Sequence, residues 1–272
     1  MSEFEFMRFV TIGQYLPTGS RVHRLDPRAR LVGGLLLVLA FTIARRPTGL
    51  LLGGLALLPL FTLSRVSLRF ALRGLLPPLP LISFLALLQI IFGGQLDEHI
   101  LFTLGPLHLS IEDLLVGLTL ILRFCGLLLT LSLLSCILST TELVHALESL
   151  LRPLTRLGLP THDFVLMVQA ALRFVPILAR EAERIAKAQA SRGADWGGKG
   201  GGLLQRARRT LPLLVPLFLT GLQRAENLAL AMEARGYSGG RGRTSAVVLR
   251  FAWPDALSLV VVCALVSLLL LA

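Results

Sequence analysis

"IEDLLVGLTLILRFCGLLLTLSLLSCIL", residues 111–138, is an apolar run whose interior holds a single basic residue, Arg123. About 20 such residues are enough for a helix to cross the hydrocarbon core of a bilayer, and this run is long enough to do so. It predicts a membrane-spanning helix. A charge well inside a span is functional by default, although a helix this long can also carry it to a polar protein surface.

Working outward, four further apolar blocks appear at 31–44, 49–63, 75–92 and 253–272. The first two are short for an upright span, so they are expected to tilt or to extend into their flanks. The chain is 54% hydrophobic and 16% charged, with a mean hydropathy of +0.75. So few charges could not cover the surface of a water-soluble domain. The reading is an all-α, polytopic membrane protein with about five transmembrane helices. "MSEFEFMRFVTIGQYLP" (1–17) carries acids and lacks a continuous apolar core, so it does not read as a cleavable signal peptide. Cys125, Cys136 and Cys263 lie in apolar runs without metal-ligand or redox spacing and read as small core residues.

Net charge is +11, almost all of it arginine. In a membrane protein this is a topology signal before it is a nucleic-acid signal, and no nucleic-acid partner is expected. Arg8, Arg21, Arg24, Arg28 and Arg30 precede the first block, and Arg65, Arg69 and Arg73 follow the second. Segment 141–250 holds 14 Arg and 2 Lys against 8 Asp and Glu. The loop "GGQLDEHILFTLGPLHLS" (93–110) has neither Arg nor Lys. The positive-inside rule then places the N-terminus and 141–250 in the cytoplasm and residues 94–110 outside, with Arg45 and Arg46 a local exception. The domain division is 1–139, an N-terminal membrane domain of four spans; 140–250, a cytoplasmic coupling-helix domain; and 251–272, a C-terminal transmembrane helix. In "HRLDPRARL" (23–31), Asp26 is a good N-cap, and Pro27 suits the first helical position.

The segment between the fourth and fifth spans is amphipathic. "TTELVHALESLLRPLTRLGLP" (140–160) spaces Leu143, Leu147, Leu150, Leu151 and Leu154 as one helical stripe ended by Pro160, suited to a membrane surface or another helix. Two long helices are expected next, Thr161 to Arg192 and Thr210 to Arg235. They end alike: "AERIAKAQASRG" (182–193) and "AENLALAMEARG" (225–236) share their Ala, Glu, Ala, Ala, Arg and Gly at matched positions. Ala182, Ala186, Ala225 and Ala229 leave low ridges on which helices can cross closely. Arginine in a last turn with glycine beyond it is ordinary capping. Found twice at matched ends, it also puts a planar guanidinium at the tip of each rod, suited to a pocket on a partner.

At this point the chain resembles the transmembrane T component (EcfT family) of energy-coupling factor (ECF) transporters, relatives of the ABC importers. The resemblance rests on "GQYLPTGSRVHRLDPRARL" (13–31), on "TTELVHALESLLRPLTRLGLP" (140–160), and on the motifs Ser191-Arg192-Gly193 and Ala234-Arg235-Gly236. It covers essentially the whole chain, and the N-terminal stretch is more similar to shared T components than to those dedicated to cobalt, nickel or biotin. Ser191 stands where alanine is common in the family. The resemblance implies a non-catalytic subunit with no cofactor in the cell membrane. Its partners would be two cytoplasmic ATPase subunits, a separate substrate-binding S component and membrane lipid. It also implies that Ser191, Arg192, Gly193, Ala234, Arg235 and Gly236 couple to the ATPases. The vitamin or metal transported would be chosen by the S component, in another polypeptide.

Other chemistries find little support. "GADWGGKG" (193–200) approaches a phosphate-binding loop, but Gly200 stands where a hydroxyl is needed, and the stretch follows a helix rather than a strand. His99 and His108 share the outer loop without ligand spacing, so no metal site is expected. A membrane-embedded enzyme acting on a lipid-linked substrate would need carboxylates or metal ligands at the membrane face, where only "DEH" (97–99) clusters. A substrate-translocating permease would carry polar residues along several spans, where only Gln89 and Arg123 stand out.

Overall fold

The computed structural model describes residues 16, 18–92, 100–104, 107–153, 161–193, 203–237, 239 and 249–271. The glycine-rich "ADWGGKGGG" stretch, His99 and the chain from 154 to Pro160 lie outside the described residues.

The helices are α1 (Pro27–Ile43), α2 (Pro47–Ser64), α3 (Leu68–Leu75), α4 (Leu79–Phe92), α5 (Ile111–Ile137), α6 (Thr140–Leu151), α7 (Thr161–Ser191), α8 (Leu203–Ala234) and α9 (Trp253–Leu271). A short antiparallel hairpin, β1 (Ile100–Leu104) and β2 (Leu107–Ser110), joins α4 to α5, an addition to the all-α expectation. The chain forms two compact units. One comprises Gly13–Ser149 with Val247–Ala272, the other Met1–Ile12 with Leu150–Ala246.

α1 starts as its sequence dictates. Pro27 occupies the first turn, and the Asp26 carboxylate accepts the Arg28 amide at 2.9 Å. The third apolar block differs from the single span expected of it. Its first residue, Leu75, ends α3, and the rest from Leu79 forms α4, with a 57° bend between the two helices across Leu76–Pro78. Pro77 and Pro78 lack amide donors, which breaks the ladder there. "LRFALRGL", the arginine-bearing stretch after the second apolar block, is the amphipathic helix α3. α8 also begins earlier than expected, at Leu203, because "LLQRARR" is made of good helix formers.

By length and apolar content α2, α5, α7 and α9 can each cross a membrane, and the bent α3–α4 pair makes a fifth candidate. α1, at 17 residues, is as short as its sequence suggested. α7 qualifies on length and apolar content, although its sequence read as a cytoplasmic coupling helix that begins apolar. The chain is therefore a multi-pass helical membrane protein.

In the unit that contains α1, α1 and α5 run antiparallel. Arg30 meets Ile137, Phe41 lies against Gly126, and Ala44 meets Arg123. A Cβ on Gly126 would collide with the Phe41 ring, so glycine here permits the close approach. α9 runs parallel to α1, with Asp255 beside Asp26 and Val262 beside Gly33. The fully buried centre is Phe41, Phe61, Leu50, Leu57 and Cys136. Large leucines on α2 and α4, such as Leu55 and Leu81, stay exposed as lipid-facing residues would. The C-terminal end of α5 and the N-terminal end of α9 both lie beside the start of α1. Whatever lies between α5 and α9 therefore leaves and rejoins this unit on one side.

Candidate functional site

In the second unit, α7 and α8 form an antiparallel pair. The Tyr237 hydroxyl donates to Asp163 at 3.1 Å, near the end of α8 and the start of α7. Arg224 lies 4.0 Å from Glu181, and Gln189 reaches the Pro212 carbonyl at 3.5 Å. Arg192 and Arg235 thus lie at opposite ends of the pair. Twenty-odd residues at 1.5 Å rise separate them along its axis by roughly 40 Å.

The two ends are built alike. At the end of α8, the Gly236 amide donates to Glu233 at 2.8 Å and the Tyr237 amide to Met232 at 3.0 Å, the Schellman arrangement. Gly236 takes φ +75°, and Gly193, at the end of α7, takes φ +87°. The Gly193 amide donates to Ala190 at 3.0 Å. These left-handed conformations are what require glycine, since a Cβ at either position would meet nothing within 4 Å. Ser191 donates to the Ala188 carbonyl at 2.8 Å, so the hydroxyl at the family's usual alanine position is used within its own helix.

The bonds made by Gly193, Gly236 and Tyr237 are backbone bonds, and neither arginine side chain contributes to them. Arg192 and Arg235 are exposed, as are Ser191 and Ala234. Neither guanidinium has an ion-pair or hydrogen-bond partner among the described residues. Capping accounts for the glycines and leaves both arginines available.

The alanine ridges separate. Ala186 is buried and Ala182 half-buried, whereas Ala225 and Ala229 are exposed. At Gly221 the two helices are in ordinary contact, where an added Cβ would lie 3.9 Å from Leu178. On α6 the leucine stripe Leu143, Leu147 and Leu150 is exposed, while Val144 and Ala146 are buried.

Arg123 is half-buried and donates to the Ala44 carbonyl at 2.7 Å, at the C-terminal end of α1. A second buried arginine went unnoticed in the sequence. Arg30, with 3% of its side chain exposed, holds Glu142 at 2.9 and 3.3 Å and donates to Ile137 at 2.7 Å. Ser139 and Glu142 form a capping box: the Glu142 carboxylate accepts the Ser139 amide at 3.1 Å, and Ser139 Oγ accepts the Glu142 amide at 3.3 Å. Its Ser-x-x-Glu spacing was the available signal. Burial raises the Glu142 pKa, but hydrogen bonds from Arg30 and Ser139 and the Arg30 charge outweigh it, leaving the carboxyl below its ordinary range. Asp255, also buried, accepts the Asp26 amide and the Ala252 amide, both at 2.7 Å. No short motif marked it.

The fold and these helix ends define a polytopic helical membrane protein that carries a long antiparallel helix pair tipped by arginines unpaired among the described residues. The family model for cobalt transport proteins, CbiQ, matches residues 19–246. The energy-coupling factor transporter transmembrane protein EcfT of Thermanaerovibrio acidaminovorans is 42% identical over 92% of this chain and 91% of its own. Those of Thermosediminibacter oceani and Bacillus subtilis are 39% and 38% identical, covering 92% and 88% of both chains respectively. The chain belongs to the EcfT family, the transmembrane proteins of energy-coupling factor transporters.

Proposed function

We propose that this chain is the non-catalytic coupling subunit of an ECF importer in the cell membrane. It transmits ATP hydrolysis by two cytoplasmic ATPase subunits to a separate S component that binds a vitamin or metal ion. The observation that carries the reading is the pair of matched helix ends, ~40 Å apart, each with an exposed arginine that no described side chain or carbonyl engages. Two separated ends suit two ATPase copies, one per arginine. Ser191, Gly193, Ala234 and Gly236 then shape the tips. The N-terminus and segment 140–250 lie in the cytoplasm on the arginine census. The family's description, cobalt transport protein, favours a dedicated metal importer as the second reading; the names of the relatives favour a shared T component.

The test is co-purification of the ATPases encoded beside this chain, with uptake measured in the same cells. Arg192→Ala/Arg235→Ala is expected to lose both while expressing normally. Normal ATPase recovery and uptake by the double variant would overturn the reading.

A further inference from the structure

A cleft of about 820 Å³ opens between α1, α5 and α9. Its floor is apolar, formed by residues that include Gly33, Gly34, Leu37, Leu133, Leu134 and Val262. Its mouth is charged, and the charges divide in an informative way. The three acids that line it are already engaged. Asp26 caps α1, Asp255 accepts two backbone amides, and Glu142 is held by Arg30. Arg30 is buried and likewise engaged. Arg21, Arg24 and Arg250 remain, exposed and without an ion-pair partner among the described residues. They precede the first turns of α1 and α9, which run parallel, so all three gather at one end of the cleft.

The geometry points to a binding site for one anionic phospholipid, with its phosphate among Arg21, Arg24 and Arg250 and its chains along the α1–α5–α9 floor. Charge complementarity selects this occupant. An apolar floor alone would take any acyl chain, but a cluster of uncompensated arginines at the mouth favours a headgroup with net negative charge. A zwitterionic lipid offers the same chains and no net attraction. The arginines stand on the side assigned to the cytoplasm, where anionic lipids give a leaflet its negative surface potential. Each basic residue near such a headgroup contributes roughly a fivefold change in affinity.

Native mass spectrometry of the full-length chain, released from detergent containing equal phosphatidylglycerol and phosphatidylcholine of identical acyl chains, reads the site. One phosphatidylglycerol is expected to be retained in preference. Arg21→Ala/Arg24→Ala/Arg250→Ala should abolish the preference, and the corresponding triple lysine variant should keep most of it. Arg45→Ala/Arg46→Ala, away from the cleft, should keep it fully. Leu257→Trp, which fills the cleft from the exposed face of α9, should reduce retention of both lipids. Equal retention of the two lipids by the unaltered chain, as expected if a partner's helix fills the cleft instead, would overturn the proposal. So would an undiminished preference in a folded triple-alanine variant.

Discussion

Arg30 and Arg123 are reciprocal caps: each donates to a carbonyl at the C-terminal end of the helix it does not belong to. Arg30 of α1 reaches the Ile137 carbonyl of α5, and Arg123 of α5 reaches the Ala44 carbonyl beyond α1, both at 2.7 Å. The antiparallel pairing makes this possible, because it sets one helix's interior beside the other's end. The last carbonyls of a helix have no partner within it, and in an apolar medium an unsatisfied one is costly. A guanidinium there also complements the negative end of the helix dipole. The charge inside α5 is thus explained by helix termination without requiring a transport pathway.

The first prediction follows directly. Arg123→Leu should destabilise the purified chain by ~1–3 kcal/mol, the cost of leaving a buried acceptor unpaired. Arg123→Lys should recover part of that, since an ammonium still donates and still opposes the dipole. Thermal unfolding in detergent measures both. A leucine variant as stable as the unaltered chain would remove Arg123 from its capping role.

Glu142 gives a prediction with a pH signature. The Arg30 side chain is 3% exposed and Glu142 is 32% exposed, so removing the acid strands the more deeply buried charge. Glu142→Gln should therefore destabilise by up to ~3–5 kcal/mol, the range for breaking a buried pair. Because the folded-state pKa of Glu142 lies below its ordinary value of 4.5, the unfolded state binds the proton more readily. The contribution of Glu142 is accordingly present at neutral pH and lost as pH falls through its folded-state pKa. Melting temperatures from pH 7 down to pH 3 should fall for the unaltered chain, with a shallower fall for Glu142→Gln over the last stretch. Parallel curves would show that the carboxylate contributes nothing through titration.

These two arginines show what a linear sequence displays and what it hides. The spans, the Asp26–Pro27 start of α1 and the paired helix ends are local patterns of period, cap and charge, and they are legible one element at a time. The Arg30–Glu142 contact joins residues 112 positions apart. Among many membrane-flanking arginines nothing local distinguishes Arg30. The bend at Leu76–Pro78 was foreshadowed by Pro77 and Pro78, yet the amphipathic run before it reads equally well as basic loop. The alanine repeat shows the same limit: Ala186 is buried and Ala182 half-buried while Ala225 and Ala229 are exposed, because tertiary contacts and not the repeat decide which small residues pack.

The caps themselves make a third prediction. Gly193→Ala or Gly236→Ala forces an L-residue into the left-handed region, at ~1–2 kcal/mol each. The surrounding space is open, so the penalty is conformational and not steric. Hydrogen exchange of the last turn of α7 or α8 should accelerate in the matching variant, with the rest of the chain unchanged. Unaltered exchange would mean that the glycine conformation is not what holds the helix end.

Topology supplies the fourth. With α9 parallel to α1 and α5 antiparallel to both, segment 138–252 begins and ends on the side where α1 starts. On the arginine census that side is the cytoplasm. In a background freed of Cys125, Cys136 and Cys263, a cysteine placed at Gln95 should react with an impermeant reagent in intact cells, and one at Gly198 should react only after lysis. The reverse pattern would invert the orientation.

The last prediction separates holding a helix end from docking a partner. All the cap bonds at Gly193 and Gly236 are backbone bonds, so Arg192→Ala and Arg235→Ala should each change the stability of the isolated chain by no more than the ~0.3–1 kcal/mol of a dipole interaction. Docking sets a larger scale. Loss of a guanidinium from a buried, hydrogen-bonded interface pocket costs ~2–5 kcal/mol, a factor of about 30 or more in ATPase affinity. Lysine should rescue poorly, since a point charge cannot reproduce the two-pronged fork. The sites lie far apart and share no described contact, so their effects on assembly with two ATPases should add to within ~0.5 kcal/mol. Titrating purified ATPase onto the reconstituted chain, for each single variant, each lysine variant and the double, reads all of this at once. Strong non-additivity would place both arginines in one coupled interface. Full affinity in both alanine variants would reduce the matched endings to caps.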